Sequence, residues 1–422
     1  MTLVAVILLL LLFASGSHVA VGMGLVASVL MLFQHGVPAV VIGQTAFKAI
    51  NSYALVAAPF FLFAGDLMTR GSIAQIIVEL VGRLVRTIRG GLALTVMISC
   101  VFFAAVSGSS VASAAAIGSA TVKVLRDENY PAHFAAGLVA VGGTLGLMIP
   151  PSLSFILIGS MVGLPIDKLF VAGIVPGLFE ALLLCITTVV LSRRRNYGTQ
   201  LGRPDWNGFG RALGPATPAL MLPVVIIGSI YAGIFTPTEV SAVAAFYAAF
   251  LCLVVYRTSS IGGLWEACKS ATLSTAMLSA VVIGGSLLGF ILTRMGFAAD
   301  LLAVVKGANM SPWTFLALVN VVLLILGMFV DGVSMIVLTA PVLFQLANAF
   351  GVNPIHFAVI ITANVEIATL TPPVGLNLFV MSGITKLPVE EVVRGVVPFY
   401  FTRLAALMLI TYVPWLSLVL VS

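Results

Sequence analysis

The chain has 422 residues, of which 61% are hydrophobic and only 8% charged, with a mean hydropathy of +1.20. That composition excludes a water-soluble globule and identifies a polytopic membrane protein in a lipid bilayer. The net charge of +6 is dispersed over turns rather than clustered on one face, so it excludes a nucleic-acid partner and reads as a topology signal.

The first apolar run, Leu3 to Phe13, lacks the basic flank and cleavage site of a signal peptide and reads as a span over about 2–14. Spans over 18–33 and 53–68 follow. Ile73 to Ile88 then sets Glu79, Arg83 and Arg86 on an otherwise apolar segment, the pattern of an amphipathic arm in the interface. Shorter apolar segments over 91–106 and 111–125 meet at the polar tip Ser107-Gly108-Ser109-Ser110, which predicts a re-entrant hairpin over 91–125. A helix over 132–163, broken at Pro150-Pro151, and a span over 168–192 complete a first half, 1–195. Residues 196–215 are Gly-rich and polar and read as the connecting loop. The second half, 216–422, has spans over 216–234, 238–256 and 272–293, and a shorter arm from Ala298 to Val305. A hairpin over 313–350 with tip Asp331-Gly332-Val333-Ser334, a helix over 355–385 broken at Pro372-Pro373, and a last span over 395–420 follow. Cys100, Cys185, Cys252 and Cys268 show no CxxC spacing and read as packing residues.

The halves are two copies of one plan. Gly108, Ser110, Pro131, His133, Pro150, Pro151, Pro165 and Pro176 recur as Gly332, Ser334, Pro354, His356, Pro372, Pro373, Pro388 and Pro398, at offsets of 222 to 224. With the loop Arg193-Arg194-Arg195 cytoplasmic, ten full crossings put both termini outside and leave fifteen Lys and Arg inside against four outside, as the positive-inside rule requires. An odd number of crossings then separates the copies, so the repeats are inverted and the hairpins enter from opposite faces. Internal duplication with interrupted apolar segments is the signature of a secondary transporter, with the site at the interruptions. The expected fold is an all-α polytopic membrane protein of about ten full spans, with inverted repeats and two re-entrant helical hairpins.

Irregular backbone at membrane depth is tolerated only against protein or a water-filled cavity. A proline in a helix removes the N–H that would bond the carbonyl four residues earlier, so Pro150 and Pro151 free the carbonyls of Gly146 and Leu147, and Pro372 and Pro373 those of Ala368 and Thr369. Carbonyls and hydroxyls are hard ligands suited to Na⁺. One candidate Na⁺ region combines Ser107, Gly108, Ser109 and Ser110 with the break from Gly142 to Pro150. The other combines Asp331, Gly332 and Ser334 with Ala368, Thr369, Thr371 and Pro372. Between them an anionic solute can meet the positive ends of half-helices, with Ser109, Ser152, Thr371, Gly375 and Asn377 as candidate contacts.

A lone SGSS favours helix packing by about 3 to 1, because small residues mediate packing in membranes. Two such tips, each about forty residues before a Pro-Pro, reverse those odds. Asp331 is a functional candidate by its depth, although the first copy carries Ser107 there. Asp66 and Arg70, spaced i, i+4, read as a structural ion pair. Glu180, Glu239 and Glu366 read as facing the bundle interior. The matched Pro-x-His-Phe-Ala segments at His133 and His356 read as a repeated interfacial turn.

The segments FFAAVSGSSVASAAAIGS (102–119), GGTLGLMIPPS (142–152), GMFVDGVSMIVLTAP (327–341) and NVEIATLTPPVGLNLFV (364–380) resemble the large membrane subunit of tripartite ATP-independent periplasmic (TRAP) transporters, within the wider ion-transporter superfamily. The resemblance covers essentially the whole chain. It implies an elevator-type fold in which a body bearing both hairpins carries solute and Na⁺ past a scaffold. It implies uptake of an organic acid, such as a C4-dicarboxylate, sialic acid, sugar acid or keto acid, across the bacterial inner membrane. It also implies two partners, a small four-helix membrane subunit, expected as a separate polypeptide, and a periplasmic substrate-binding protein. No organic cofactor is implied.

The nearest rival is a stand-alone Na⁺- or H⁺-coupled carboxylate carrier that needs no binding protein. A passive channel fits broken helices less well. An intramembrane protease lacks a second aspartate in a GxGD setting and any base beside a serine.

Overall fold

A computed structural model of the protein describes residues 12, 17–34, 36–71, 73–85, 87–198, 205–307 and 309–421. The expected first span and Arg86 therefore lie outside the described residues. The described chain folds into α1 (Val19–Val29), α2 (Ala39–Ile50), α3 (Ala57–Arg70), α4 (Ile73–Val85), α5 (Gly91–Ser107), α6 (Ser110–Asp127), α7 (Ala132–Thr144), α8 (Leu153–Val162), α9 (Ile166–Arg194) and α10 (Trp206–Tyr231). It continues through α11 (Pro237–Phe250), α12 (Ile261–Arg294), α13 (Phe297–Gly307), α14 (Pro312–Phe329), α15 (Gly332–Ala349), α16 (Pro354–Ala368), α17 (Leu376–Thr385), α18 (Val389–Tyr412) and α19 (Trp415–Leu418).

Cap chemistry in the sequence sets many of these boundaries. Thr236 accepts the Glu239 N–H while the Glu239 carboxylate accepts the Thr236 N–H, and Pro237 opens α11 with its φ preset. Asn353 and Ser311 cap α16 and α14 in front of Pro354 and Pro312. Glu239 is thus exposed in a capping box and does not face the bundle interior, contrary to the expectation from its position in an apolar run.

The segments expected as hairpins are helix pairs, α5 with α6 and α14 with α15, and the chain is interrupted between α7 and α8 and between α16 and α17. Among the described residues, seven helices are individually long and apolar enough to cross a membrane, or eight if the bent pair of α2 with the α3 segment, which turns through 53°, forms one span. The span expected over 53–68 falls within the second arm of that pair. The expected loop also differs: Asp205 accepts the Gly208 N–H as a cap, so 206–214 begin α10.

The central body has a crossed arrangement. In the first copy α6 packs on α7, yet α8, beyond the break, packs on α15 of the second hairpin. Symmetrically, α17 lies against α6 and α7 of the first copy. Outside this body, the 34-residue α12 packs against α1, α2 and α3, with α11 also on α3. A Cβ at Gly284 would lie 2.6 Å from the Ala20 carbonyl oxygen, so the close approach of α12 to α1 depends on this glycine.

Candidate functional site

At the first tip, α5 ends on Gly108 in the left-handed conformation (φ +59°), and Ser109 caps α6 by accepting the Ala112 N–H at 3.4 Å. The Ser107 and Ser113 hydroxyls lie 2.7 Å apart. Gly146, in the turn that closes α7, brings the break against this tip, because a Cβ there would sit 2.9 Å from the Ser109 carbonyl oxygen and 3.0 Å from Ser113 Oγ. On the other side the Leu153 N–H donates to the Gly108 carbonyl at 3.3 Å. The first hairpin tip is thereby docked on its own Pro-Pro break.

The second tip is built alike. Asp331 caps α15, its Oδ1 accepting the N–H groups of Val333 (3.0 Å) and Ser334 (3.1 Å), and its Oδ2 accepting the Ser334 hydroxyl. The Val374 N–H donates to the Met328 carbonyl at 3.1 Å. In each hairpin a backbone carbonyl thus accepts from beyond an interruption, Gly108 from Leu153 and Met328 from Val374, and Pro150-Pro151 and Pro372-Pro373 are both cis peptides.

The geometry revises two readings. Gly108 and Gly332 match in sequence at an offset of 224, but the residues that cap the second helix of each hairpin are Ser109 and Asp331, at an offset of 222. Gly108 supplies the left-handed turn, whereas Gly332 sits inside the first turn of α15, where a Cβ would lie 2.4 Å from Val365 Cγ1. The carbonyls expected to be freed by proline are also partly engaged. The Leu147 carbonyl accepts the Ser152 hydroxyl, that of Thr369 accepts the Asn377 N–H at 3.1 Å, and that of Ala368 accepts the Thr371 N–H at 3.2 Å. Each retains a second lone pair.

The expected solute contacts fall into two groups. Asn377 is fully buried, accepting from the Ser110 hydroxyl at 2.9 Å and donating to the Ala140 carbonyl at 2.9 Å, so it clamps the second break onto the first copy. Ser152 is likewise buried as the cap of α8. Thr371 donates to the Ile367 carbonyl at 2.7 Å and reaches the Tyr400 hydroxyl at 3.3 Å. Ser109 keeps partial exposure at its tip, and Gly375 (φ +38°) opens α17.

Reasoning from the sequence did not assemble the buried cluster beneath both breaks. Arg403 on α18, 1% exposed, donates from Nη1 to Glu180 Oε2 on α9 (2.6 Å) and Glu366 Oε2 on α16 (3.0 Å). Its Nη2 donates to the Thr144 hydroxyl and, at 3.4 Å, to the Val141 carbonyl, both on α7. Glu180 and Arg403 each stand fifteen residues past their helix caps, Pro165 and Pro388. Thr144 and Glu366 each stand thirteen past theirs, Pro131 and Asn353. Extending the repeat register to the charged residues would have paired them.

Residues 6–416 match the family described as the tripartite ATP-independent periplasmic transporter, DctM component. The chain belongs to this family. It is 38% identical over 376 residues to the C4-dicarboxylate TRAP transporter large permease protein DctM of Pseudomonas aeruginosa, covering 89% of this chain and 87% of the relative. Identity is 36% to the DctM of Rhodobacter capsulatus, over 98% and 97% of the two chains. It is also 36% to the isethionate TRAP transporter permease protein DctMQ of Oleidesulfovibrio alaskensis, over 94% of this chain and 63% of that longer protein. Among solved structures, the YdaH transporter of Alcanivorax borkumensis shares the fold at a TM-score of 0.63 and 15% identity, over 89% of this chain and 87% of that one. The TRAP large permease is thus a multi-pass membrane transport protein and not an enzyme.

Proposed function

We propose that this permease carries out Na⁺-coupled secondary uptake of an organic anion across the bacterial inner membrane by an elevator movement. The observation that carries the reading is the docking of each hairpin on its own broken helix, Leu153 to Gly108 at the first tip and Val374 to Met328 in the last turn of α14. Two clusters of hard oxygens result. Ser107, Ser109, Ser113 and the Gly142–Leu147 turn would hold one Na⁺, and Asp331, Ser334 and the Ala368–Thr371 turn the other. Na⁺ in these clusters would supply charge neutralisation for the bound anion.

The relatives are named for C4-dicarboxylates, sialic acid and 2,3-diketo-L-gulonate, and also for isethionate and ectoine. An organic acid is the class these share most often, and a carboxylate is the form we propose. The partners are a small four-helix membrane subunit on a separate polypeptide and a periplasmic binding protein that delivers the solute. The repeats, 1–195 and 216–422 joined through 196–215, lie inverted in the membrane with both termini periplasmic. The charge asymmetry of the loops supports that orientation.

The test is thermal unfolding of the purified permease across a Na⁺ titration, with choline holding ionic strength constant. A ligand that binds only the folded state stabilises it by RT ln(1 + [L]/Kd). A saturable Na⁺-specific rise that is lost in S107A/S109A/S334A is expected. A well-folded wild type indifferent to Na⁺ excludes the cation sites.

A further inference from the structure

Arg403 bonds the helix before the break in each half of the chain, α7 in the first and α16 in the second. Through Nη2 it holds Thr144, the last residue of α7 before the first break, and through Nη1 it holds Glu366, two residues before α16 ends at the second. Glu180 fixes the guanidinium from a third helix, and all four side chains are at most 2% exposed. A guanidinium is planar, so its two nitrogens cannot move independently. In a buried cluster the alternative to these bonds is an unpaired charge, which makes intermediate positions costly. Movement of either helix end is therefore transmitted to the other.

We infer that Arg403 is a positioning residue that couples the two breaks, so that ordering one oxygen cluster around Na⁺ favours ordering of the other and the two ions bind cooperatively. The inference rests on the proposed Na⁺ sites but goes beyond them, since two independent sites would satisfy that reading equally well. Both ends of the coupling are local. The Thr144 hydroxyl also bonds the Val141 carbonyl (2.8 Å), two residues before Gly146 enters the first cluster. The Glu366 carbonyl accepts the Thr369 hydroxyl at 2.7 Å, inside the second. Coupling free energies between sites typically change affinity about 5- to 150-fold, and the coupling is reciprocal.

The experiment is equilibrium binding of radiolabelled Na⁺ to the purified permease, wild type against Thr144→Val and Arg403→Lys. Thr144→Val removes the hydroxyl acceptor on α7 and leaves only the long 3.4 Å bond from Nη2 to the Val141 carbonyl, and Arg403→Lys keeps the charge while losing the rigid fork. Wild type is expected to bind with a Hill slope above one, and both variants with slopes near one and at least fivefold weaker filling of the second site. Leu222→Ala, a buried truncation on α10 that touches neither the Arg403 cluster's hydrogen bonds nor the two oxygen clusters, supplies a destabilised control whose slope stays at the wild-type value. Saturable wild-type binding with a slope of one overturns the coupling and leaves the Na⁺ sites standing. Cooperative binding that persists in either folded variant overturns it as well. A wild type that binds no Na⁺ overturns both readings, and a slope that falls equally in Leu222→Ala reduces the effect to lost stability.

Discussion

At the scale of single residues, the tips are governed by contacts that admit no side chain. A Cβ at Gly108 would lie 2.4 Å from the Pro151 carbonyl oxygen, and the φ of +59° is unfavourable for any L side chain by about 1–2 kcal/mol. Gly163 has a comparable φ of +74° but nothing within 4 Å. Gly163→Ala is therefore expected to lose only that backbone term, whereas Gly108→Ala loses more and displaces the tip from its break. Unfolding midpoints of the two variants, with and without Na⁺, check the contrast. Gly332→Val is expected to cost about 1–3 kcal/mol by overpacking against Val365 and to abolish uptake. Wild-type uptake by this variant contradicts the geometry of the second tip. The hydroxyls and glycines here were legible as a motif. Which glycine turns the chain and which only clears space was not, because both look alike in sequence.

Among elements, the same pair of charges has very different weight according to what surrounds it. Arg70 and Asp66 form the predicted i, i+4 pair on α3 at 2.8 Å, with side chains 44% and 24% exposed. Arg70→Ala is expected to lose about 0.3–0.5 kcal/mol in thermal unfolding. Arg403→Met, which strands Glu180 and Glu366 between four helices, is expected to lose about 3–5 kcal/mol by the same measurement. The amphipathic arm α4 shows a third regime. Arg83 pairs with Glu79 and, across the chain, with Asp205, both at 2.9 Å on the surface. The Gly208 N–H, and then Arg83, hold the Asp205 carboxyl below its ordinary range. A depressed folded value means that the contact is present above the unfolded carboxylate pKa and is lost as pH falls through the folded one. Protection factors of the α4 amides, corrected for the intrinsic pH dependence of exchange, are expected to fall on acidification in wild type and to be low at every pH in Asp205→Asn. The apolar pattern and charges of the arm predicted its existence, but a partner 122 residues away left no local trace.

Across the whole molecule, the crossed packing of α8 on α15 and of α17 on α6 and α7 joins the two copies into one body, sealed by the bond from Ser110 to Asn377. The proposed elevator movement asks that such a body move as a unit. Asn377→Leu removes both the Ser110 and the Ala140 bonds; the Ala140 carbonyl keeps its helical partner, whereas the buried Ser110 hydroxyl loses its acceptor, at about 1–3 kcal/mol. It is expected to lower the unfolding midpoint and to loosen exchange protection in α6 and α17 together, whereas loss of protection in one helix alone contradicts a single body.

Membrane residence, the recurrence of residues of one half in the other at offsets of 222 to 224, and the places where helices are interrupted were legible in the sequence alone. Hydropathy, proline and glycine act locally, so apolar length, missing N–H groups and left-handed turns can be read from neighbouring residues. The family resemblance was equally legible, because its motifs lie in those same interruptions. Only the tertiary structure decided that the tips correspond through their caps, Ser109 and Asp331, that Asn377 belongs to the first copy's tip, and that Glu180, Glu366 and Arg403 are one buried cluster rather than three isolated charges. Each of those facts depends on which helix faces which, and that is set by packing between segments hundreds of residues apart.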